Sequence, residues 1–515
     1  IYLIIALIGL SAPSCSDSML DFSPTDSGSG KELLKSASTA ITSVNGVYRS
    51  MWTAGWSTTA NTHQCFGIAA YNLALDCMAD DLIMQSQGNG WFWGDHCYNV
   101  KSNYTSSAFR SYDVWYANYK WIANVNYIID AEPEMAGTEA DVAYVAGQAY
   151  AIRALCYLNL ATWFSRAPYN SLTGASRWNE PCVPVYTTGT SIDTGGQPRE
   201  SLRTVYGRID QDIDRAIELL EKARETTLAE NNKSHINLYV ALGIKSRACL
   251  AEGDWDGAFK AAKRVIDEGG YAVGTKSDLT GGMNSLDKQN VMWGAGIQVA
   301  DQAGGYAGFF THMDNKEGAY AKSAPKLISK QLYNRISATD IRRDWWDPSD
   351  KESPYVSKKF SFANVASFLG DYIYMRVEEM YFTAAEAALR LDDLKSAREL
   401  MNTVMAERDP GYSANNRSGT LLGATTTTWT GSFLENILTH RRIELWGEYG
   451  RLFDVRRLGQ GIDRRTDDGF SEECISMMNR RNVNITKADT YDWVLTIPKA
   501  ELDANPNINE EDQNP

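Results

Sequence analysis

Histidine is scarce in this chain, with five residues among 515. Imidazole is the side chain that most readily exchanges protons near neutral pH, so acid–base chemistry built on it has little material here. The eight cysteines, Cys15, Cys65, Cys77, Cys97, Cys156, Cys182, Cys249 and Cys474, include no CxxC pair. That removes the sequence basis for a zinc site. Positive charge is in deficit: 50 Lys and Arg against 64 Asp and Glu give a formal charge of -14. Nucleic acid is excluded as a natural partner, because such a surface repels a phosphate backbone, and an anionic membrane surface does not attract it either. The apolar opening, Ile1 to Leu10, falls short of the roughly 20 residues a spanning helix needs.

Aromatic side chains are abundant, with 15 Trp, 27 Tyr and 15 Phe, and so is helical periodicity. The stretch from Arg376 to Tyr412 reads as a helical hairpin. Met380, Ala384, Ala387, Ala388 and Leu391 recur at the steps of one helix face. Asp392 and Asp393 break the pattern, and a short carboxylate there accepts hydrogen bonds from the unpaired N–H groups that open a second helix. Leu394, Ala397, Leu400, Met401 and Val404 form the face of that helix, which Pro410 and Gly411 end. Leu238 to Tyr271 repeats the layout, its Glu252–Ala258 turn matching Leu391–Ala397 in spacing. Two such copies with small residues at the crossing indicate tetratricopeptide-type helix pairs, although their distance in sequence argues against a plain tandem solenoid.

Helical pattern also marks the region after Lys31, the segments around 111–132, 141–169 and 200–223, and 433–459. The last reads as one long charged helix, in which Glu444, Glu448, Arg451, Asp454 and Arg456, at steps of three and four, are expected to form ion pairs that hold packed helices rather than an acid–base constellation. Tyr112, Trp115, Tyr116, Tyr119 and Trp121 fall at helical spacing and are expected in the core. Met51 to Asn103 loses periodicity and reads as a long loop or insertion, the kind of segment that carries binding. Sugars present apolar C–H faces and outward hydroxyls, which flat rings beside amides and carboxylates can recognise. Asn89, Trp91, Trp93, Asp95 and Tyr98 supply both kinds within that segment, although packing of the loop onto the helices accounts for any one ring equally well. Trp91 and Trp93 share a side only if the backbone there is extended. Tyr306 and Phe310 form a second candidate group, with Phe309 and His312. Asp80 and Asp81 could bind a hard cation such as calcium, although two carboxylates are too few to establish a site. Cys65, Cys77 and Cys97 lie in one loop-rich region where an oxidising compartment would permit a bridge.

Small residues Ala12 and Ser14 precede Cys15, and an acidic, flexible stretch follows, a layout that resembles a bacterial lipoprotein signal with Cys15 as the lipidated residue. Together with six further stretches in consistent order, the chain resembles the SusD/RagB family of outer-membrane nutrient-binding lipoproteins. The stretches are CSDSMLD, GQAYAIRALCYLNLATWFSRAPY, QPRESLRTVYGRIDQDIDRAIELL, AEGDWDGAFKAAKRVIDEGGY, MRVEEMYFTAAEAALRL, HRRIELWGEYGRLFDVRRLG and IPKAELDANPNINEEDQNP. The resemblance implies a mainly α SusD-like fold with several tetratricopeptide-like helix pairs, long loops and few short strands. It implies a signal peptide over 1–14, a lipidated linker over 15–30 and a SusD-like domain over 31–515, split into 31–235 and 236–515. It further implies a lipid-anchored outer-membrane protein that binds a glycan, has no enzymatic activity and needs no cofactor, and delivers its ligand to a SusC-type TonB-dependent transporter. Some lineages take peptides instead; the aromatic and amide content of the loop around Trp91 favours sugar. A glycoside hydrolase would need two carboxylates astride the scissile bond, and no such pair stands out.

Overall fold

The computed structural model describes residues 30–53, 61–99, 109–191, 193–229, 233–298, 307–488 and 490–515. Cys15, the signal-like opening, the linker up to residue 29 and Tyr306 lie outside them. The longer helices are α1 (Ala37–Ser50), α2 (Ile68–Met78), α3 (Phe109–Ala131), α4 (Glu139–Phe164), α5 (Leu202–Lys222), α6 (Leu238–Glu252), α7 (Trp255–Glu268), α8 (Val377–Arg390), α9 (Leu394–Ala406), α10 (Phe433–Glu444), α11 (Arg451–Leu458) and α12 (Glu472–Arg480). From α3 to α9 each helix packs on the next, and α1 closes against α3 and α4. The expected mainly helical architecture is therefore the observed one.

Local chemistry sets the boundaries of these helices. The Thr138 and Ser201 hydroxyls accept the Asp141 and Thr204 N–H groups at 3.1 and 3.2 Å, capping α4 and α5. Val205, Ile209, Ile213, Ala216 and Leu220 are buried on one face of α5. A side chain at Gly147 would put its Cβ 2.9 Å from Leu220 Cγ, so the close approach of α4 and α5 requires glycine there. In the α6–α7 pair, Gly253 turns the chain at φ +77° and Asp254 accepts the Gly257 N–H. In the α8–α9 pair, Asp392 takes the turn at φ +61° and Asp393 accepts the Ser396 N–H at 3.0 Å. The two pairs lie far apart in sequence, yet α7 packs on α8. Cys249, Leu250, Ala258 and Ala387 form the apolar contact between them.

Among the described residues, six short strands interrupt the helices: β1 (Leu82–Met84), β2 (Val291–Ala295), β3 (Lys326–Ile328), β4 (Trp346–Asp347), β5 (Val356–Ser357) and β6 (Tyr372–Arg376). One antiparallel sheet has the order β1-β3-β5-β4, and β2 and β6 form a separate ribbon in which Val291 faces Arg376.

Two sequence expectations fail here for physical reasons. The nonperiodic stretch 51–103 contains α2, whose residues are nearly all buried. A helix buried on every side has no polar face, so it leaves no 3.6-residue signal. The charged stretch 433–459 is two helices, broken where Gly447 and Gly450 take φ of +74° and +27°. Its charges pair with other elements more than with one another. Glu444 accepts from Arg342 at 3.1 Å, Arg376 at 3.0 Å and Arg408 at 2.9 Å. Glu448 accepts from Arg376 at 2.7 Å and Lys359 at 2.5 Å. Arg376 and Arg408 reach Glu378, and Arg342 reaches Asp340. These groups are buried, and the network joins β6, α8, α10 and the segment after α9.

Candidate functional site

The segment from Gly88 to Asn99 bends over α2 and is pinned from inside. Arg110, near the start of α3, clamps Asp95 through two hydrogen bonds of 2.8 and 2.9 Å. The Tyr98 hydroxyl donates to the Met78 carbonyl at 2.6 Å. Phe92 takes φ +61°, and its N–H donates to Gln64 Oε1 at 2.6 Å. Trp93–His96 is a single helical turn, and Trp93 is 3% exposed. In this conformation Trp93, Asp95 and Tyr98 are therefore packing and pinning groups, not a ligand-facing set. The extended backbone that would set Trp91 and Trp93 on one side is absent. Phe310 is likewise buried, against Phe309, Phe362 and Tyr372.

The pinning leaves Asn89 exposed and Trp91 half-buried at the lip of the segment. The Trp91 ring stacks on His63, with centroids 4.7 Å apart and planes at 18°, and meets Tyr320 edge-on at 6.0 Å. The Tyr320 hydroxyl and His63 Nδ1 are hydrogen-bonded at 2.6 Å. Beneath them, His312 Nε2 donates to the His63 carbonyl at 2.6 Å and its ring stacks on Phe66. Burial, with the Lys326 charge nearby, drives the His312 pKa well below the ordinary range, so the ring is neutral at physiological pH. The Asn89 N–H donates to Ser323 Oγ at 2.9 Å. At neighbouring Gly88, with φ +51°, a Cβ would lie 2.6 Å from the Ser323 carbonyl oxygen. Trp91 is thus a surface ring on a rigid aromatic foundation.

His63 and Tyr320 carried no signal in the sequence, because they meet across 257 residues. A cleft of about 430 Å³ adds residues that sequence reasoning also passed over: Asn45, Arg49, Trp52, His235, Trp293 and Tyr374. The Tyr374 hydroxyl and the Asn45 side-chain oxygen have no hydrogen-bond partner among the described residues. A second aromatic cleft, of about 450 Å³, is lined by Trp115, Tyr119, Tyr186 and Glu501. Trp115 was expected in the core and is buried, as is Trp121, whereas Tyr119 is partly exposed.

Asp80 and Asp81 are occupied by cations of the chain itself. Arg442 reaches both at 3.0 and 2.6 Å, and Arg451 reaches both at 3.1 Å. Burial opposes ionisation of Asp80, but Arg451 and Arg442 outweigh it and lower its pKa to about 2. Guanidinium groups hold the carboxylate oxygens that a calcium ion would need. No cluster of three His, Cys, Asp or Glu suited to a metal occurs among the described residues. None of the seven cysteines from Cys65 onward is bonded to another, so a bridge among Cys65, Cys77 and Cys97 is not formed. No described helix is long and apolar enough to cross a membrane.

Helix pairs as a body, with a supported aromatic surface on the segments between them, define a helical-repeat binding scaffold. The chain belongs to the SusD family. Residues 321–515 match the profile described as the SusD family, and residues 39–250 match the one described as "Starch-binding associating with outer membrane". None of the curated protein sequences matches significantly. Among solved structures, a SusD-like carbohydrate binding protein from Bacteroides vulgatus is 24% identical, with a TM-score of 0.73 over 93% of this chain and 98% of that one. A SusD superfamily protein from Bacteroides thetaiotaomicron is 22% identical, with a TM-score of 0.74 over 93% and 100%. Surface glycan-binding protein A from Bacteroides thetaiotaomicron, solved with laminarihexaose, is 16% identical, with a TM-score of 0.64 over 93% and 99%.

Proposed function

We propose that this protein is a cell-surface glycan-binding lipoprotein, anchored through Cys15, that captures an oligosaccharide and passes it to a SusC-type TonB-dependent transporter. The observation that carries the reading is the half-exposed Trp91 ring, held flat against His63 and braced by Tyr320, with Asn89 exposed at the same lip. A pyranose face packs against such a ring, and amide and hydroxyl groups beside it match the sugar's hydroxyls. The family profile for outer-membrane starch binding and the laminarihexaose complex of a structural relative support the same ligand class. Catalysis has no support from this lip, because Asp95, the carboxylate expected there, is spent on Arg110.

Calorimetric titration against plant, host and microbial glycans tests the reading. One or more oligosaccharides are expected to bind, and Trp91→Ala to weaken binding tenfold or more, about 1.4 kcal/mol. Binding of peptides with no glycan bound would transfer the reading to peptide capture. Palmitate labelling that is lost in Cys15→Ser tests the anchor. Co-purification with a TonB-dependent transporter from detergent-solubilised outer membranes tests the delivery step.

A further inference from the structure

The cleft between α1 and the β2–β6 ribbon shares no residue with the Trp91 lip, and its polar groups are unevenly satisfied. Its floor is fixed. The Tyr48 hydroxyl donates to Gln148 Oε1 and accepts the Ile236 N–H, both at 2.9 Å, and the Tyr48 ring stacks on His235 with centroids 5.0 Å apart. Trp293 Nε1 donates to the Ser234 carbonyl at 3.1 Å, and the Trp293 ring meets Tyr374 at 5.0 Å. Two groups differ. Tyr374 is 4% exposed, yet its hydroxyl has no hydrogen-bond partner among the described residues, and neither has the side-chain oxygen of half-buried Asn45. Buried polar groups are nearly always satisfied, so two such groups at one cleft suit it to a hydrogen-bonding ligand. Gly46 is an independent sign. It lies inside α1 next to Asn45 and lines the cleft, where glycine weakens the helix. Nothing beyond its own helix backbone comes within 4 Å of a Cβ built there, whereas at Gly147 and Gly243 a Cβ would strike Leu220 and Met375. Packing within the protein does not require this glycine, and its bare backbone lets a ligand approach α1 closely.

We propose that this cleft is a second carbohydrate site, separate from the Trp91 lip, that takes neutral pyranose rings; the proposal rests on the glycan reading above. Its volume of about 430 Å³ falls within the roughly 300–1,000 Å³ of small-ligand sites. The two unsatisfied groups select the ligand chemistry. The Asn45 oxygen needs a donor, and the Tyr374 hydroxyl both donates and accepts. A carboxylate or phosphate cannot donate to Asn45, an ammonium cannot accept from Tyr374, and an apolar ligand serves neither. A sugar hydroxyl serves both. The half-buried Trp52 ring supplies the flat apolar surface that the C–H face of a pyranose covers. The cleft and the lip are also mechanically joined. The Ile68 N–H donates to the carbonyl of Met51 in the cleft wall at 2.9 Å, and Phe66, two residues earlier, stacks on His312 beneath the lip. The two sites therefore belong to one rigid body.

The full chain should be titrated calorimetrically with maltohexaose, laminarihexaose, xylohexaose and mannohexaose. Wild type is expected to show two binding events with at least one of them. Trp91→Ala should weaken one event and leave the other unchanged, and adding Gly46→Leu should remove the unchanged one. Gly46→Leu alone should keep the lip event and melt at or above wild type, because leucine favours a helix over glycine. Tyr374→Phe should weaken the cleft event about threefold to tenfold without lowering the melting temperature, whereas a hydroxyl with only a structural role would leave affinity unchanged. A single binding event that Trp91→Ala weakens, or a second event that both Gly46→Leu and Tyr374→Phe leave intact, overturns the cleft and lets the lip reading stand. Absence of heat from wild type with all four probes overturns both.

Discussion

Replacing Glu444 by Gln should destabilise the fold by about 3–5 kcal/mol, the range for a buried pair that loses one partner. Glu444 is fully buried and accepts from Arg342, Arg376 and Arg408, themselves fully buried. With Asp340, Glu378, Glu448 and Lys359, the network balances four carboxylates against four cations. The substitution keeps the shape and leaves one positive charge without a counter-charge in a dry interior. The protein has one inexpensive escape. Burial lowers the Lys359 pKa to about 8 although Glu448 pulls it upward, so Lys359 is the cation that gives up its proton most easily. Glu444→Gln together with Lys359→Met should therefore cost less than the sum of the two single changes, by about 1 kcal/mol or more. The assay is denaturant unfolding followed by far-UV circular dichroism at pH 7, comparing midpoints at equal slope. A single variant within about 1 kcal/mol of wild type would refute the reasoning, as would strict additivity of the pair.

Asp76 offers a pH-dependent counterpart. Burial raises its pKa to about 8; one oxygen accepts the Arg451 N–H at 2.7 Å and the other has no partner among the described residues. The folded pKa exceeds the unfolded value, so the native state holds this proton more tightly, and stability from this group falls as pH rises from about 4 to about 8. Asp76→Asn should gain over wild type across that window, by a few kcal/mol at its upper end, and the gain should level off above it. Melting curves at pH 5 and pH 8.5 check this, and a gap that does not widen with pH would contradict it. At the α4–α5 crossing, Gly147→Val should cost about 1–3 kcal/mol through overpacking against Leu220, read from the same denaturant midpoints.

The helix pairs were legible because each is an amphipathic unit whose signal is local. Met380, Ala384, Ala387, Leu400 and Val404 fall in the core as their spacing required, and Asp393 caps the helix that its position announced. Within the aromatic segment the roles of the individual rings were not separable from sequence. Trp91 and Trp93 are equivalent in composition, and what distinguishes them is the left-handed turn at Phe92 and the Arg110 clamp on Asp95. Neither is written in the local pattern. The charged run after Phe433 misled for a related reason. Spacing of three and four suggested pairs along one helix, whereas most of the partners, including Arg342, Arg376, Lys359, Asp80 and Asp81, come from distant segments.

The pairing of β2 with β6 has a consequence for how this chain tolerates change. The chain leaves the scaffold after α7 and re-enters it at α8, and the facing of Val291 and Arg376 brings exit and return together. What lies between is a cassette with a clasped base, in which lengthening an exposed turn costs only a logarithm of the loop length, whereas Asp340, Arg342 and Lys359 tie its body into the buried ion network. Tyr320 is carried by this cassette, whereas His63, Asn89 and Trp91 come from the excursion between α1 and α3. Insertions at its exposed turns can thus alter one wall of the lip, while His312, the β1–β3 pairing and the Arg342–Glu444 pair keep the cassette fastened to the opposite wall and to the helices.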